Sequence, residues 1–353
     1  MDSARHESFM RRCFHLAKMG QGLSKTNPLV GAVVTYEDRI IGEGYHEKYG
    51  EAHAEVAALE SIAEEDRPLL GKSTLYVSLE PCNHFGKTPP CTNLIIENNI
   101  PRVVVSCYDP NNRMSGRSIE MLREQGVVVL TGILQDEGKK LLKPFTVNHV
   151  ERIPYIVLKW AESADRYIGV SGKRVPISNT LSQHFVHKWR SELDAIVVGT
   201  DTAIIDNPLL NVRAYPGRNP QRVVIDRTGR IPLSHHLLSD DDSTWIFTNL
   251  LDYPNVRSAK KVIHVKQDLR ENLQQVFEYL LDQGIGTVLV EGGSELFKSL
   301  IKAQLWHEAR IIRSQSNLGG GIPAPRIQGA IVEKSNIMTD KILIINKLND
   351  KNG

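Results

Sequence analysis

At 353 residues the chain exceeds the roughly 100–200 residues of one ordinary domain, so two domains are expected. With 41% hydrophobic and 24% charged residues it reads as a soluble globular protein, and the absence of any run near the ~18 apolar residues that span a bilayer excludes a membrane role. Lys and Arg total 43 against 41 Asp and Glu, interspersed, which gives no broad basic face and makes nucleic acid a poor partner.

The opening MDSARHESFMRRC lacks the apolar core of a secretory signal and carries acidic residues, so a cytoplasmic location is expected. Met10, Cys13, Phe14 and Ala17 then recur at the spacing of one helix face. Two strand-like runs follow around the turn Tyr36-Glu37-Asp38-Arg39, then a helix-like stretch from His53 to Ile62. STLYVSLEP, PCTNLIIENN, RVVVSCYDP, SIEMLREQG and VVVLTG alternate strand and helix signatures, which predicts an α/β layered domain ending near residue 146. The stretch KPFTVNHVERIP breaks periodicity, and its two prolines disfavour continuous helix. A second α/β region runs from PYIVLKWAES through LDAIVVGT, QRVVIDRTG, STWIFTNL, KKVIHV and GIGTVLVEGG to SELFKSLIKAQLW. Domains 1–146 and 147–353 result. After Leu318 the tail is loop-like and then strand-like, with no evident role.

Chemistry concentrates in the first half. Cys13, Cys82, Cys91 and Cys107 are too few for a disulfide framework in a chain this long, so reduced thiols, some of them on metal, fit better; Cys13 and Cys107 read as buried packing. His53-Ala54-Glu55, followed by Pro81-Cys82 and then Cys91, supplies one imidazole and two thiolates. Structural zinc normally takes four protein ligands, whereas a catalytic site keeps one position for water, whose pKa zinc lowers toward about 7. A hydrolytic deamination also needs a carboxyl group to move the proton to the departing amine, and Glu55 is that group. Two residues apart in a regular helix, His53 and Glu55 would face away from each other, so His53 is expected at the helix entry. Cys91, after Pro89-Pro90, is expected in the first turn of a helix. Zinc deaminases pair H-x-E with P-C-x-x-C; here the cysteines are separated by the eight residues NHFGKTPP. A purely structural zinc would need a fourth ligand, for which His84 is the candidate.

Asn27-Pro28-Leu29-Val30-Gly31, Gly42-Glu43-Gly44-Tyr45-His46, Gly50-Glu51-Ala52-His53-Ala54-Glu55 and Leu79-Glu80-Pro81-Cys82 through Lys87-Thr88-Pro89-Pro90-Cys91 together resemble the bifunctional riboflavin-biosynthesis deaminase/reductase family. The resemblance implies a cytidine-deaminase-like three-layer α/β/α domain followed by a dihydrofolate-reductase-like α/β domain. It implies zinc-dependent deamination of a phosphoribosylated diaminopyrimidinone, then NADPH-dependent reduction of the ribose to a ribityl chain. By motif match, Asn27, His46, Lys87, Asp109 and Asn111 would contact the pyrimidine nucleotide.

In the second half the resemblance runs through Leu158-Lys159, Ser163, Asp165, Arg190, Gly199-Thr200, Thr202, Asp206-Asn207-Pro208, Leu210, Arg213, Val224-Ile225-Asp226 and Val290-Glu291-Gly292-Gly293. It implies that Ala161, Thr202, Asp206 and Gly293 bind NADPH, and that Arg190, Leu210, Arg213 and Glu291 bind substrate. The amides opening the helix after Gly293 could take a cofactor phosphate, and Arg190 and Arg213 a substrate phosphate. Two departures stand out: Ser163-Ala164-Asp165-Arg166 where the family usually has Ser-Leu-Asp-Gly, and Pro176-Ile177-Ser178 where it has Trp-Ile-Thr. A deaminase with a degenerate reductase half therefore stays open, as do a nucleic-acid-acting zinc deaminase and a homo-oligomeric assembly.

Overall fold

The computed structural model describes residues 2–83, 89–111 and 115–348. The chain divides into two compact units, Met1–Arg152 and Ile153–Gly353. In the first unit the order is α1 (Asp2–Met19), β1 (Gly31–Tyr36), β2 (Arg39–Tyr45), α2 (Ala54–Glu60), β3 (Thr74–Leu79), α3 (Cys91–Glu97), β4 (Arg102–Cys107), α4 (Arg117–Glu124), β5 (Val128–Thr131) and α5 (Gln135–Val150). The strands pair as β2-β1-β3-β4-β5, antiparallel at the β2-β1-β3 end and parallel across β3-β4-β5.

Because successive strand residues point to opposite faces, this sheet builds two cores at once. Val33, Tyr76 and Val104 meet Met10, Cys13, Phe14 and Leu16 of α1, while Val34, Val77 and Val105 meet Ala58 of α2, Ile95 of α3 and Leu122 of α4. The result is an α/β/α sandwich, in which each large apolar side chain contributes roughly 1.5–3 kcal/mol of burial. Gly42 and Gly44 bring α2 down onto β2: a Cβ on either would run into the backbone of Ala57 or Ala58.

The expected boundary at residue 146 falls inside α5, and Pro144, expected to break the helix there, lies in its interior. The packing of Leu142, Val147 and Asn148 into the fold outweighs the one amide the proline removes.

The second unit contains β6 (Tyr155–Glu162), β7 (Tyr167–Gly169), α6 (Thr180–Glu192), β8 (Ala195–Gly199), α7 (Thr200–Asp206), β9 (Gln221–Ile225), α8 (His236–Ser239), β10 (Thr244–Thr248), β11 (Lys260–His264), α9 (Gln274–Asp282), β12 (Thr287–Val290), α10 (Ser294–Lys302), β13 (Glu308–Arg313), β14 (Ile322–Pro323), β15 (Gly329–Ile337) and β16 (Asp340–Lys347). Its main sheet runs β11-β10-β9-β8-β12-β6-β13-β16-β15, parallel up to β13 and antiparallel beyond. The near-continuous apolar runs of β6, β8 and β12 suit parallel strands covered on both faces. The tail is a hairpin that extends this sheet, and buried Asp340 accepts the amide of Asn179, the N-cap of α6.

Candidate functional site

In the first unit, two helix starts and one strand end converge. His53 is the N-cap of α2 with extended backbone (φ −70°, ψ 160°), which takes it off the regular helix path, while Glu55 sits in the first turn. Cys91 is the first residue of α3, after the N-cap Pro90, and Cys82 follows β3 by three residues. His53 Nδ1 lies 3.3 Å from Cys91 Sγ and 3.4 Å from Cys82 Sγ, and all three donor atoms fall within 4.8 Å of one another. The Cys91 amide donates to Cys82 Sγ at 3.3 Å.

The electrostatics match the geometry. Hydrogen bonding from Cys91 holds the Cys82 thiol well below its usual range, at about 4, while the Cys91 thiol is pushed up by the same contact. The two thiols thus share one proton, which a dication would displace. Two sulfurs and one imidazole at this spacing suit zinc, and among the described residues no further His, Cys, Asp or Glu joins the group. His84, the possible fourth ligand, and Lys87 lie outside the described residues. Glu55 is 3% exposed; burial first, then the charge of Cys82, lifts its carboxyl to about 7, and it reaches the Cys91 thiol. A carboxyl balanced near neutrality beside a metal triad can both take and give a proton.

Around this centre, Asn27 Nδ2 donates to His46 Nε2 at 2.9 Å, and His46 Nδ1 donates to the Ala52 carbonyl at 2.9 Å. Both nitrogens of the buried His46 ring are engaged, so it orients Asn27 rather than offering a free nitrogen to a ligand. Asp109 and Asn111 lie on the loop after β4, where Asn111 N donates to Asp109 Oδ1 at 2.7 Å. That loop hangs on Glu80, which sequence reasoning passed over: its buried carboxylate accepts from the amides of Asp109, Gly116 and Ser118 and from Ser118 Oγ. A glutamate between a buried strand and Pro81 was the available signal.

In the second unit, residues gather at the carboxyl ends of the parallel strands, where open α/β sheets bind ligands. Glu291, just after β12, takes a two-pronged ion pair from Arg190 of α6, with Nε to Oε1 at 2.6 Å and Nη2 to Oε2 at 2.7 Å. Lys159 Nζ of β6 stands 3.7 Å from Glu291 Oε2. Burial lowers the Lys159 ammonium, whereas for Glu291 burial is overridden by Arg190 and Lys159, which hold the carboxyl at about 2. Lys159 belongs in this cluster although the site list drawn from sequence omitted it; a lone cation inside the apolar strand YIVLKWAE was the clue.

The arginine fork expected on a substrate phosphate is thus committed to Glu291 in the case of Arg190, while Arg213 is exposed and donates to Asn211 Oδ1. The Leu210 side chain lies in the core with Ile196, Val198 and Ala203, the residue as a whole is buried, and its φ of 53° turns the chain there. Thr202 and Asp206 lie on α7, and burial raises the Asp206 carboxyl. Ala161 sits near the end of β6, paired with Ile312. Gly292 (φ 145°) and Gly293 (φ 92°) form the turn into α10, and a Cβ on Gly292 would crowd Thr202. That glycine turn, with free amides at the start of α10, fits a dinucleotide phosphate. Arg166, the departure from glycine, adopts the left-handed φ of 69° that the turn requires. Ser163 still bonds Tyr167 through its amide, so the turn persists.

The cytidine and deoxycytidylate deaminase zinc-binding region matches residues 3–107, and the RibD C-terminal domain matches residues 154–339. The chain is 36% identical to the riboflavin biosynthesis protein RibD of Aquifex aeolicus, over 90% of this chain and 88% of the relative, and 35% identical to that of Chlamydia pneumoniae, over 94% and 91%. Among solved structures it resembles a diaminohydroxyphosphoribosylaminopyrimidine deaminase/5-amino-6-(5-phosphoribosylamino)uracil reductase from Thermotoga maritima, with TM-score 0.90, 31% identity and coverage of 99% of this chain and 100% of the other. Acinetobacter baumannii RibD follows at TM-score 0.85 and 29% identity, covering 98% and 100%.

Proposed function

The chain belongs to the RibD family of bifunctional deaminase/reductases of riboflavin biosynthesis, and on that premise we propose how its own residues divide the two reactions. The first unit is the cytidine-deaminase-like domain and the second the dihydrofolate-reductase-like domain, and the family's cofactors are zinc and NADPH. The substrate is a phosphoribosylated diaminopyrimidinone.

His53, Cys82 and Cys91 would hold zinc, and the chemistry it would supply there is the Lewis acidity that lets water act as a nucleophile near neutral pH. Glu55 would take a proton from the attacking water and deliver it to the departing amine as the exocyclic C–N bond breaks and the ring carbon gains a carbonyl, releasing ammonia. Asn27, oriented by His46, and Asp109 and Asn111, held by Glu80, bind the pyrimidine, with Lys87 toward the phosphate. The observation that carries this reading is Glu55: a fully enclosed carboxyl poised near neutrality against a three-donor metal set.

In the second unit the glycine turn and α7 bind NADPH through Gly293, Thr202 and Asp206, beside Ala161. NADPH supplies the two reducing equivalents that convert the ribosyl group to ribityl. Glu291, fixed by Arg190 and Lys159, orients the sugar, while exposed Arg213 lines the substrate's approach and buried Leu210 shapes the turn that leads to it. The persistence of the Ser163–Tyr167 turn supports an active rather than a degenerate reductase. A cytoplasmic setting, where thiols stay reduced, suits the metal centre. The edge strand β15, with Ile331 and Val332 more than half exposed, is where a second copy would pair. Among the described residues no helix is long and apolar enough to cross a membrane.

A coupled assay tests the division: with the diaminopyrimidinone nucleotide, the purified chain should release one ammonia and then oxidise one NADPH per substrate. Ammonia release without NADPH oxidation would remove the second activity.

A further inference from the structure

His187 and Arg190 lie three residues apart on α6 and so share one face of the helix. That face meets the segment Leu209–Arg213. Arg190 Nη1 donates to the Asn211 carbonyl at 3.0 Å, and the Arg213 amide donates to His187 Nδ1 at 3.4 Å. The Leu209 carbonyl accepts from Nη1 of buried Arg222 at 3.3 Å, and the Val212 amide donates to Asn219 Oδ1 at 2.8 Å. With the Leu210 side chain in the core, every residue of this segment has its own anchor, and His187 supplies the one at Arg213.

The His187 side chain is 5% exposed, and neither reaction described above uses it. An imidazole nitrogen accepts an amide only while the ring is neutral. Burial, and then the charges of Arg190 and Arg213, lower the His187 pKa from its ordinary value, so the ring is neutral near pH 7 and Nδ1 stays an acceptor. Arg213 differs from its neighbours on the segment, because it is exposed and its guanidinium donates to the neutral Asn211 Oδ1 at 3.1 Å. With Arg190 paired to Glu291, Arg213 is the one of these two arginines whose fork can turn to a phosphate. A long side chain meets a ligand reproducibly only when the backbone it springs from is fixed.

We propose that His187 is a positioning residue of the reductase half: by holding the Arg213 amide it aims the Arg213 side chain at the phosphate of the nucleotide, and so sets the preference for a phosphorylated substrate. The inference rests on the reading above that Arg213 meets the substrate, and adds what orients it. His187 touches neither substrate nor cofactor. Its effect therefore belongs to binding, and it passes through Arg213 alone.

Steady-state reduction by the full chain, with the deaminated nucleotide and with the same compound freed of its phosphate, tests it. The unmodified chain should show a KM at least about tenfold lower for the phosphorylated compound. His187→Ala should raise that KM about three- to tenfold, while kcat and the KM for the dephosphorylated compound stay within about twofold. His187→Asn, whose Oδ1 takes the place of Nδ1, should recover the low KM, whereas His187→Gln, with its acceptor moved to the Nε2 position, should not. In an Arg213→Ala background, His187→Ala should change nothing further. A loss confined to kcat, both KM values raised alike, or a full additional loss in the Arg213→Ala background would overturn the assignment. Should His187→Ala fail to fold, the Asn and Gln variants decide, and equal KM values in those two count against it. If the unmodified chain reduces both compounds equally well, the reductase reading stands and His187 is wrong. If it reduces neither, the reductase reading fails and takes this assignment with it.

Discussion

Each half holds a buried carboxyl group at its candidate site, and their surroundings move the two in opposite directions. Glu55 is lifted to about 7 by burial and by Cys82, whereas Glu291 is held at about 2 because Arg190 and Lys159 outweigh its burial. Glu55→Gln keeps the shape and the donors but cannot carry a proton, so zinc content by elemental analysis should be unchanged while ammonia release falls about 10²–10⁴-fold. Retained turnover would remove Glu55 from its role. Glu291 gives a pH prediction with a definite sign. Its folded value lies below the ordinary 4.5, so its contribution to stability is complete above about pH 4.5 and is lost as pH falls toward 2. The second unit's denaturation midpoint, followed by circular dichroism, should drop through that window, and Glu291→Gln should flatten the drop. The sequence named both glutamates, Glu55 from H-x-E and Glu291 through the family resemblance, but not their opposite titration, which depends on which neighbours the fold supplies.

At the scale of elements, the candidate metal donors sit at the starts of α2 and α3 and after the end of β3, and the seat of α2 depends on two glycines. Gly44→Ala would drive a methyl into the backbone of Ala57 and Ala58, a cost of roughly 1–3 kcal/mol in overpacking. The displaced helix carries His53 and Glu55, so zinc affinity measured by competition with a chromophoric chelator should weaken in this variant. Unchanged zinc affinity would show that α2 is positioned by something else. The strands and helices around this centre were legible from alternation and helical spacing, as Met10, Cys13, Phe14 and Ala17 illustrate: all four are buried. Less legible was α5, where Pro144 argued against a helix that tertiary packing nevertheless holds. The tail was also opaque, because β15 is largely exposed and its pairing partner is fixed only by β13 at the edge of the finished sheet.

For the molecule as a whole, two units with separate cores carry separate candidate sites, His53, Cys82 and Cys91 in one and the Glu291 cluster with the glycine turn in the other. Stripping zinc with 1,10-phenanthroline should abolish ammonia release, while the dissociation constant for NADPH, read by fluorescence, stays within about twofold. Loss of NADPH binding together with zinc would contradict this separation. The sequence by itself singled out His53, Cys82, Cys91 and Glu55, which the fold brings together, as well as the two α/β halves and the family, because local periodicity and short motifs encode helix faces, strand faces and candidate ligands without reference to distant residues. Only the tertiary structure decided that Arg190 pairs with Glu291, that Lys159 joins them and that Glu80 suspends the Asp109 loop. Those pairings join residues far apart in the chain, and a charge's partner is set by which strand ends and helix starts the fold brings within a few ångströms of it.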